Sequence, residues 1–183
     1  MAATKSTIVL CEDEAHALFV YRWLLNRGLK SGEIRIVPCP AGRGAGTQHV
    51  VTSYPGEVSE YRARANHVSS RRLIVVIDAD TSTVPQRLAS LEAKLRDAGL
   101  AARASTERIC LLVPRRNVET WIHFLQEKPV NETDDYSAFY LGDDRAPACE
   151  NAGRAFNEWL QSAQPPDGSP PSLVAARQEA VRL

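Results

Sequence analysis

Short apolar runs and amphipathic stretches alternate along this chain, and the two patterns predict strands and helices in turn. Runs rich in β-branched residues favour strands, and apolar residues three or four positions apart favour helices. The predicted strands are residues 7–11, 33–37, 73–77 and 108–113, and the predicted helices are residues 13–27, 55–68, 85–97, 149–163 and 172–183, with a short helix after Asn117. This order predicts an α/β fold with a mostly parallel four-stranded sheet flanked by helices.

The pattern weakens after Gln126, and this change divides the chain into two parts. We expect residues 1–126 to form the α/β domain. Residues 127–147 are polar and predict a long loop, and the helices beyond it predict a C-terminal extension that packs on the domain or on a partner. With 183 residues, the chain is long enough for one domain with a proper core and such an appendage.

Two aspartates, Asp78 and Asp80, directly follow the third apolar run. Alternate residues of an extended chain point the same way, so both carboxylates are expected to reach one spot at the carboxyl end of the sheet, where parallel sheets carry their sites. Neighbouring carboxylates repel unless a cation lies between them or one is protonated, and Mg2+ is a suitable hard cation. The alternative is that Asp80 only caps the next helix, together with Thr81, Ser82 and Thr83.

Charged residues follow other strands too: Glu12, Asp13 and Glu14 after the first, and Arg115, Arg116 and Glu119 after the fourth. If these strands are neighbours, the side chains converge on one edge of the sheet. Carboxylates there, Glu12 among them, can hold one or two Mg2+ or Mn2+ ions that polarise a phosphate and activate water. An adjacent acid can relay a proton and arginines can neutralise developing charge, so the pattern predicts phosphodiester chemistry at this edge.

Two basic stretches are candidates for contact with a nucleic-acid backbone. Residues 41–46 contain three glycines and Arg43, which can bring backbone N–H groups near a phosphate, and a plain flexible turn explains them equally well. The stretch lacks the Lys-Ser/Thr ending of a P-loop. A basic rim around the carboxylates is predicted from Arg62, Arg64 and Arg115. The alternative for Arg62 and Arg64, which lie on a predicted helix, is a solvated helix face.

Three segments together resemble the topoisomerase–primase (TOPRIM) fold, which is found also in OLD-family nucleases. They are residues 8–12 with the helix that follows, residues 74–80, and residues 114–121. The proline, Asn-Val-Glu and tryptophan of the third segment resemble a pattern in TOPRIM-like proteins of bacterial defence loci. The resemblance covers about residues 6–125 and implies a TOPRIM-like Rossmannoid domain.

The resemblance also implies roles for individual residues. Glu12 takes the place of the general acid/base, Asp78 and Asp80 take the place of the metal ligands, and Glu119 matches a further acid of nuclease members. It implies a nuclease for DNA or RNA that is the effector subunit of a bacterial defence system. Because the chain has no Walker A sequence, the ATPase that often accompanies such proteins would be a separate subunit.

Two positions depart from the family pattern. Asp13 stands where many members have glycine, and Ser82 stands where an extended motif has a third acid. The first departure leaves open whether Glu12 or Glu14 is the functional acid.

Two other functions remain open. A regulatory or partner-binding TOPRIM-like domain would bind metal, nucleotide or another protein without cutting, and the net charge of 0 favours it because no global field attracts nucleic acid. The other open function is that of a receiver domain like those of response regulators, because acids after the first strand and an aspartate after the third are typical of that class. A receiver needs a lysine after its last strand, where this chain has Pro114, Arg115 and Arg116.

Composition places the chain among cytoplasmic proteins. No apolar run approaches the roughly 20 residues that span a bilayer, and the N-terminal residues lack a signal-peptide pattern. The four cysteines include no CxxC pair, which predicts reduced thiols and no structural zinc site. The helical tail is a candidate surface for a homodimer contact or for a separate subunit.

Overall fold

The computed structural model describes residues 5–39, 45–65 and 70–183, and within them the chain builds a four-stranded parallel sheet. The strands are β1 (Thr7–Cys11), β2 (Ile34–Ile36), β3 (Arg72–Val76) and β4 (Ile109–Leu112), in the spatial order β2-β1-β3-β4. Thr7 pairs with Arg72 and Cys11 with Val76, so β1 and β3 end level with each other. The predicted α/β fold with a parallel four-stranded sheet is confirmed.

In the same described ranges, six α-helices flank the sheet. They are α1 (Glu14–Asn26), α2 (Ala45–Ala65), α3 (Val84–Asp97), α4 (Val118–Phe124), α5 (Arg145–Gln161) and α6 (Pro171–Ala180). Asp13, Thr83 and Asn117 cap α1, α3 and α4 through their side-chain oxygens, which accept backbone N–H groups of the first turn. Between α4 and α5 lie two short 3-10 turns, Ser137–Phe139 and Gly142–Asp144, within the stretch predicted as a loop.

Helix α2 starts ten residues earlier than its sequence pattern predicts. The prediction placed its start at Pro55, because proline suits the first turn of a helix and interrupts its interior. In the structure Pro55 lies inside α2, and the turns before it bury Val50, Val51 and Tyr54 against the sheet. Each such buried side chain stabilises the fold by about 1.5–3 kcal/mol, and the three together outweigh a cost of about 3 kcal/mol for an interior proline. The predicted start was therefore wrong.

The helices divide between the two faces of the sheet. Along β3, Ile74 and Val76 belong to the core under α1, α4, α5 and α6, whereas Leu73 and Val75 belong to the core under α2 and α3. Both faces of β3 are therefore buried away from solvent. This double burial explains why the strand is a continuous apolar run rather than an alternating one.

The C-terminal helices share a core with the sheet domain. Phe156 of α5 packs against Phe19 and Trp23 of α1, with ring centroids 5.8 Å and 5.1 Å apart. Trp159 of α5 and Leu173 of α6 are buried in the same core. The core between the sheet and these helices is therefore built from residues before and after position 126.

Helix α6 also covers the edge strand β4. The Glu179 carboxylate accepts the backbone N–H of Leu111 at 3.0 Å and a guanidinium N–H of Arg103 at 2.6 Å. An edge strand otherwise presents unpaired N–H groups that invite pairing with another chain. The side chain of Glu179 thus takes the place of a neighbouring strand for the N–H of Leu111.

All four cysteines are free thiols, and the sulfur atoms of Cys11 and Cys39 lie 3.7 Å apart. Among the described residues, no helix combines the length and the apolar character needed to cross a membrane.

Helices α1 and α5 approach each other so closely that one glycine is required between them. A Cβ atom on Gly153 would lie 2.6 Å from the backbone nitrogen of Trp23 and 2.9 Å from the carbonyl carbon of Arg22. Backbone atoms of a packed helix cannot yield as the end of a flexible side chain can. An alanine here must separate the two helices.

We therefore expect Gly153→Ala to lower the free energy of unfolding by about 1–3 kcal/mol, because overpacking forces the helices apart. Gly56→Ala is the matched control. Gly56 lies inside α2, and apart from its chain neighbours and the helix's own backbone, no atom of the described residues lies within 4 Å of the position that a Cβ atom would take there. Alanine should therefore stabilise the helix by about 0.4–1 kcal/mol. Urea denaturation of the two variants and the wild type measures both effects. Equal effects of the two substitutions would contradict the close contact at Gly153.

Candidate functional site

The ends of β1 and β3 bring two acidic residues into direct contact. Glu12 directly follows β1, and Asp78 follows β3 after one intervening residue, Ile77. The two strands are neighbours in the sheet. The Asp78 backbone N–H donates to Glu12 Oε1 at 3.0 Å, and the Thr47 hydroxyl donates to Glu12 Oε2 at 3.1 Å. Both oxygens of the Glu12 carboxylate are thereby oriented.

Helix α2 supplies Thr47 because its first turn approaches the end of β1. A Cβ atom on Gly46 would lie 2.5 Å from the carbonyl oxygen of Glu12, so only glycine allows this approach. Thr47 follows directly and reaches the carboxylate. A glycine in the preceding Gly-rich stretch is therefore a packing requirement of the site.

Helix α1 contributes His16, which is fully buried. Its Nδ1 lies 2.8 Å from Asp13 Oδ1 and its Nε2 lies 2.9 Å from Asp78 Oδ1. With both aspartates ionised, their oxygens can only accept, so both ring nitrogens donate and His16 is the doubly protonated imidazolium. Burial alone would lower the pKa of His16, but the charge of Asp78 and the hydrogen bonds to both aspartates raise it well above its usual value.

The carboxyl groups at this edge carry perturbed pKa values. Burial, with the charge of Asp78 second, raises the pKa of Glu12 from 4.5 to about 7. Burial also raises the pKa of Asp78, against the opposing charge of His16. The exposed Asp13 differs: burial would raise its pKa, but hydrogen bonds from His16 hold it well below its usual range. Glu12 is therefore about half protonated near neutral pH.

Glu119 joins this cluster from the first turn of α4, where only 7 % of its surface is exposed. Burial raises its pKa, and the charges of Asp13 and Asp78 add to the effect, which places it within electrostatic reach of both. We call Glu12, Asp78 and Glu119, together with His16, the acidic edge.

Asp80 lies at the margin of the acidic edge rather than beside Asp78. Its backbone has a φ of 54°, so the extended alternation that would align it with Asp78 stops before it. Its side chain is 45 % exposed and lies 3.7 Å from a guanidinium nitrogen of Arg87. It is not the cap of α3 either, because Thr83 has that position.

Two arginines hold the loop that carries these aspartates. Arg87 of α3 donates from Nε to the carbonyl oxygen of Asp78 at 2.9 Å. Arg115 donates to the carbonyl oxygen of Asp80 at 2.8 Å and also to that of Ser82. Both guanidinium groups are thus engaged with backbone, and they position the acidic residues.

The other arginines named from the sequence pair with carboxylates outside the acidic edge. A guanidinium nitrogen of Arg116 lies 3.9 Å from a carboxylate oxygen of Asp135. Arg62 is held by Glu107 and by the carbonyl groups of residues 101 and 102, and Arg64 pairs with Glu60 at 2.7 Å. Because α2 runs from the carboxyl edge of the sheet to the amino edge, the structure does not bring Arg62 and Arg64 to the acidic edge.

Arg43 lies outside the described residues, as do the other residues of 40–44. Contact of any of these arginines with nucleic acid stays a prediction.

Neither His16 nor Thr47 was predicted as a site residue from the sequence. A signal for His16 was present, since it extends the buried stripe of Phe19 and Trp23 back by one turn and follows Glu12 by four residues. A buried histidine one turn after a strand-end acid indicates an internal counter-charge. Thr47 had no such signal, because its contact depends on the tertiary approach at Gly46.

Comparisons of the chain with protein-family models, with curated proteins and with solved structures found no match. The assignment of the fold class therefore rests on the sheet topology, and the TOPRIM resemblance stays a prediction from the sequence.

The raised pKa of Glu12 predicts how stability depends on pH. Between pH 4.5 and about 7 the folded chain holds the Glu12 proton more tightly than the unfolded chain, so this group's contribution to stability falls as pH rises through that range. Glutamine keeps the shape of the side chain and carries no charge. We expect Glu12→Gln to have a higher Tm than wild type at about pH 8 and nearly the same Tm at about pH 5.

Thermal melts across this pH range test the expectation. Glu14→Gln is the control for loss of a negative charge at this end of the sheet, because the Glu14 side chain is 81 % exposed and its surface ion pair with Arg145 is worth only about 0–1 kcal/mol. A Tm difference for Glu12→Gln that is the same at both pH values would refute the raised pKa.

The ion pair of His16 predicts a large loss of stability on substitution. His16→Gln leaves the buried Asp78 carboxylate without its cation, which should lower the free energy of unfolding by about 3–5 kcal/mol. His123→Gln is the control: His123 is also buried, and its Nδ1 lies 2.7 Å from the Tyr140 hydroxyl. Loss of that neutral hydrogen bond should cost about 1 kcal/mol. Urea denaturation near neutral pH measures both, and equal losses would argue against a charged His16.

Proposed function

We propose that this chain hydrolyses phosphodiester bonds of DNA or RNA at its acidic edge with the help of Mg2+ or Mn2+. The observation that carries the proposal is the contact of Glu12 with Asp78 at adjoining strand ends, which combines a carboxyl group of pKa about 7 with a buried aspartate. A group with a pKa near the working pH is well suited to proton transfer. Strained and perturbed groups gathered at the carboxyl edge of a parallel sheet are typical of functional sites.

The donor set suits a hard divalent cation. Burial is the first cause of the raised pKa of all three carboxyl groups, and neighbouring carboxylate charges add to it, so a bound cation would stabilise their ionised forms. Within residues 5–39, 45–65 and 70–183, no three His, Cys, Asp or Glu side chains are arranged to hold one metal ion. Mg2+ is often held by only one or two carboxylates, with water and substrate phosphate oxygens as its other ligands, and Asp78 and Glu119 would supply those two. The bound ion would polarise the phosphate and lower the pKa of an attacking water.

The residues of the chain then have distinct tasks. Glu12 accepts a proton from the attacking water, and its carboxylate is oriented for this by Thr47 and by the Asp78 N–H. His16 holds the Asp78 side chain in place through Oδ1 and stabilises its ionised form. Arg87 fixes the main chain at Asp78, so the acidic group cannot shift with the loop.

The TOPRIM resemblance is compatible with this proposal. It implies a glutamate after the first strand and an aspartate after the third, and these two strands are neighbours in the sheet. The proposed role as a defence effector with a separate ATPase subunit depends on the resemblance alone. The proposed homodimer depends on the helical tail alone.

A second candidate is a regulatory domain that does not cut. The observation that favours it is His16, since a buried imidazolium already supplies Asp78 with a positive partner. In this case the acidic edge is a structural ion-pair network that does not need a metal ion.

Cleavage assays on plasmid, single-stranded DNA and RNA with Mg2+ or Mn2+ separate the two candidates. We expect Glu12→Gln to lower kcat by about 10²–10⁴ through loss of proton transfer, and Asp78→Asn to abolish cleavage. Asp97→Asn, at an exposed residue at the far end of α3, should keep wild-type activity. Thermal melts of each variant confirm that it is folded.

Wild-type activity in a folded Glu12→Gln variant would remove Glu12 from the mechanism. No cleavage of any substrate by the wild type, together with no rise of Tm on addition of metal, would favour the regulatory domain, because a metal-bound native state is stabilised by mass action.

A further inference from the structure

A second charged site lies at the opposite, amino edge of the sheet. It is a cavity of about 520 Å³ between the C-terminal half of α2 and the beginnings of β1 and β3, with Arg35 of β2 beside it. We call it the amino-edge pocket. Its charged lining residues are Lys5, Arg35, Glu57, Glu60, Arg64 and Arg71.

Arg71 is the unusual member of this pocket, because only 4 % of its surface is exposed. Its nearest carboxylate oxygen, on Glu60, is 3.8 Å from Nη2, and Glu60 also binds Arg64 at 2.7 Å. Among the described residues, the Arg71 Nε has no hydrogen-bond acceptor. Burial and the charge of Arg64 lower the pKa of Arg71. A buried guanidinium without a close carboxylate is costly unless another anion binds it.

The charges of the pocket do not balance. Glu57 forms an ion pair with Arg35 at 2.8 Å, and Glu60 forms one with Arg64. The Lys5 ammonium donates to the carbonyl oxygen of Ile34 at 3.1 Å, which carries no full charge. Four cations against two carboxylates leave two positive charges, those of Lys5 and Arg71, available to a ligand.

We propose that the amino-edge pocket binds a terminal phosphate, the phosphomonoester dianion. Such a group carries about −1.5 to −2 charges near neutral pH, which matches the excess in the pocket, whereas an internal phosphodiester carries only about −1. The planar guanidinium of Arg71 matches two phosphate oxygens, and the ammonium of Lys5 adds a point charge. The ligand is a free phosphomonoester or the 5′-terminal phosphate of a nucleic acid. The inference does not depend on the proposed hydrolysis, since the two sites lie at opposite edges of the sheet.

Isothermal titration calorimetry at constant ionic strength and in EDTA tests the proposal, because without divalent metal the probes are not consumed. The probes are inorganic phosphate, a nucleoside 5′-monophosphate, and one DNA oligonucleotide with either a 5′-phosphate or a 5′-hydroxyl. Lys5→Gln removes one of the two excess charges at an exposed residue and should weaken binding about tenfold. Arg71→Gln should abolish binding, and Arg154→Gln, at an exposed arginine of α5, should leave it unchanged.

Binding of phosphate and mononucleotide identifies the free phosphomonoester as the source, and binding of the phosphorylated oligonucleotide alone identifies the nucleic-acid terminus; both support the pocket. Three results would overturn it: no binding of any probe at millimolar concentration, equal binding of the 5′-hydroxyl oligonucleotide, or unchanged affinity in Lys5→Gln. The last result decides the matter even if Arg71→Gln does not fold.

Discussion

The ion pair between His16 and Asp78 is the interaction on which the acidic edge depends. Carboxyl groups withdrawn from water repel one another and favour protonation, and a cation in hydrogen-bond contact is what keeps one of them ionised. His16 can act as this cation because it lies on the buried face of α1, and α1 is held in place by its close contact with α5 at Gly153. The C-terminal helices therefore support the chemistry of the site without contributing a side chain to it.

Helix α2 connects the two charged ends of the molecule. Its first turn meets Glu12 at the carboxyl edge, and its last turns carry Arg64 at the amino edge. In a parallel sheet all strands end on the same side, so residues that follow strands and residues that precede them collect at opposite edges. Acids follow β1 and β3 and cations precede them, as Glu12 and Lys5 show for β1. A net charge of 0 thus conceals a cluster rich in acids at one edge of the sheet and a cluster with excess cations at the other.

Much of the fold and part of the site could be predicted from local patterns. The strands were predictable because double burial leaves a continuous apolar run, and Glu12 and Asp78 were predictable because an acid directly after such a run lies at the sheet edge. Asp80 shows the limit of this reasoning, since its left-handed backbone breaks the alternation assumed for an extended chain. Pro55 shows another limit: burial of the preceding turn overrides a local preference, and burial is a property of the folded chain.

The amino-acid sequence by itself determined the order of elements and placed acids directly after two strands, because these features depend on residues that are close along the chain. The parallel sheet followed from that order, since strands that alternate with helices pair in parallel. Only the tertiary structure decided which charges meet. His16 reaches Asp78 across 62 positions, Thr47 reaches Glu12 across 35, and Arg115 folds back onto the Asp80 backbone, also across 35. Such contacts depend on how helices approach strand ends, and the residue types alone do not specify that geometry.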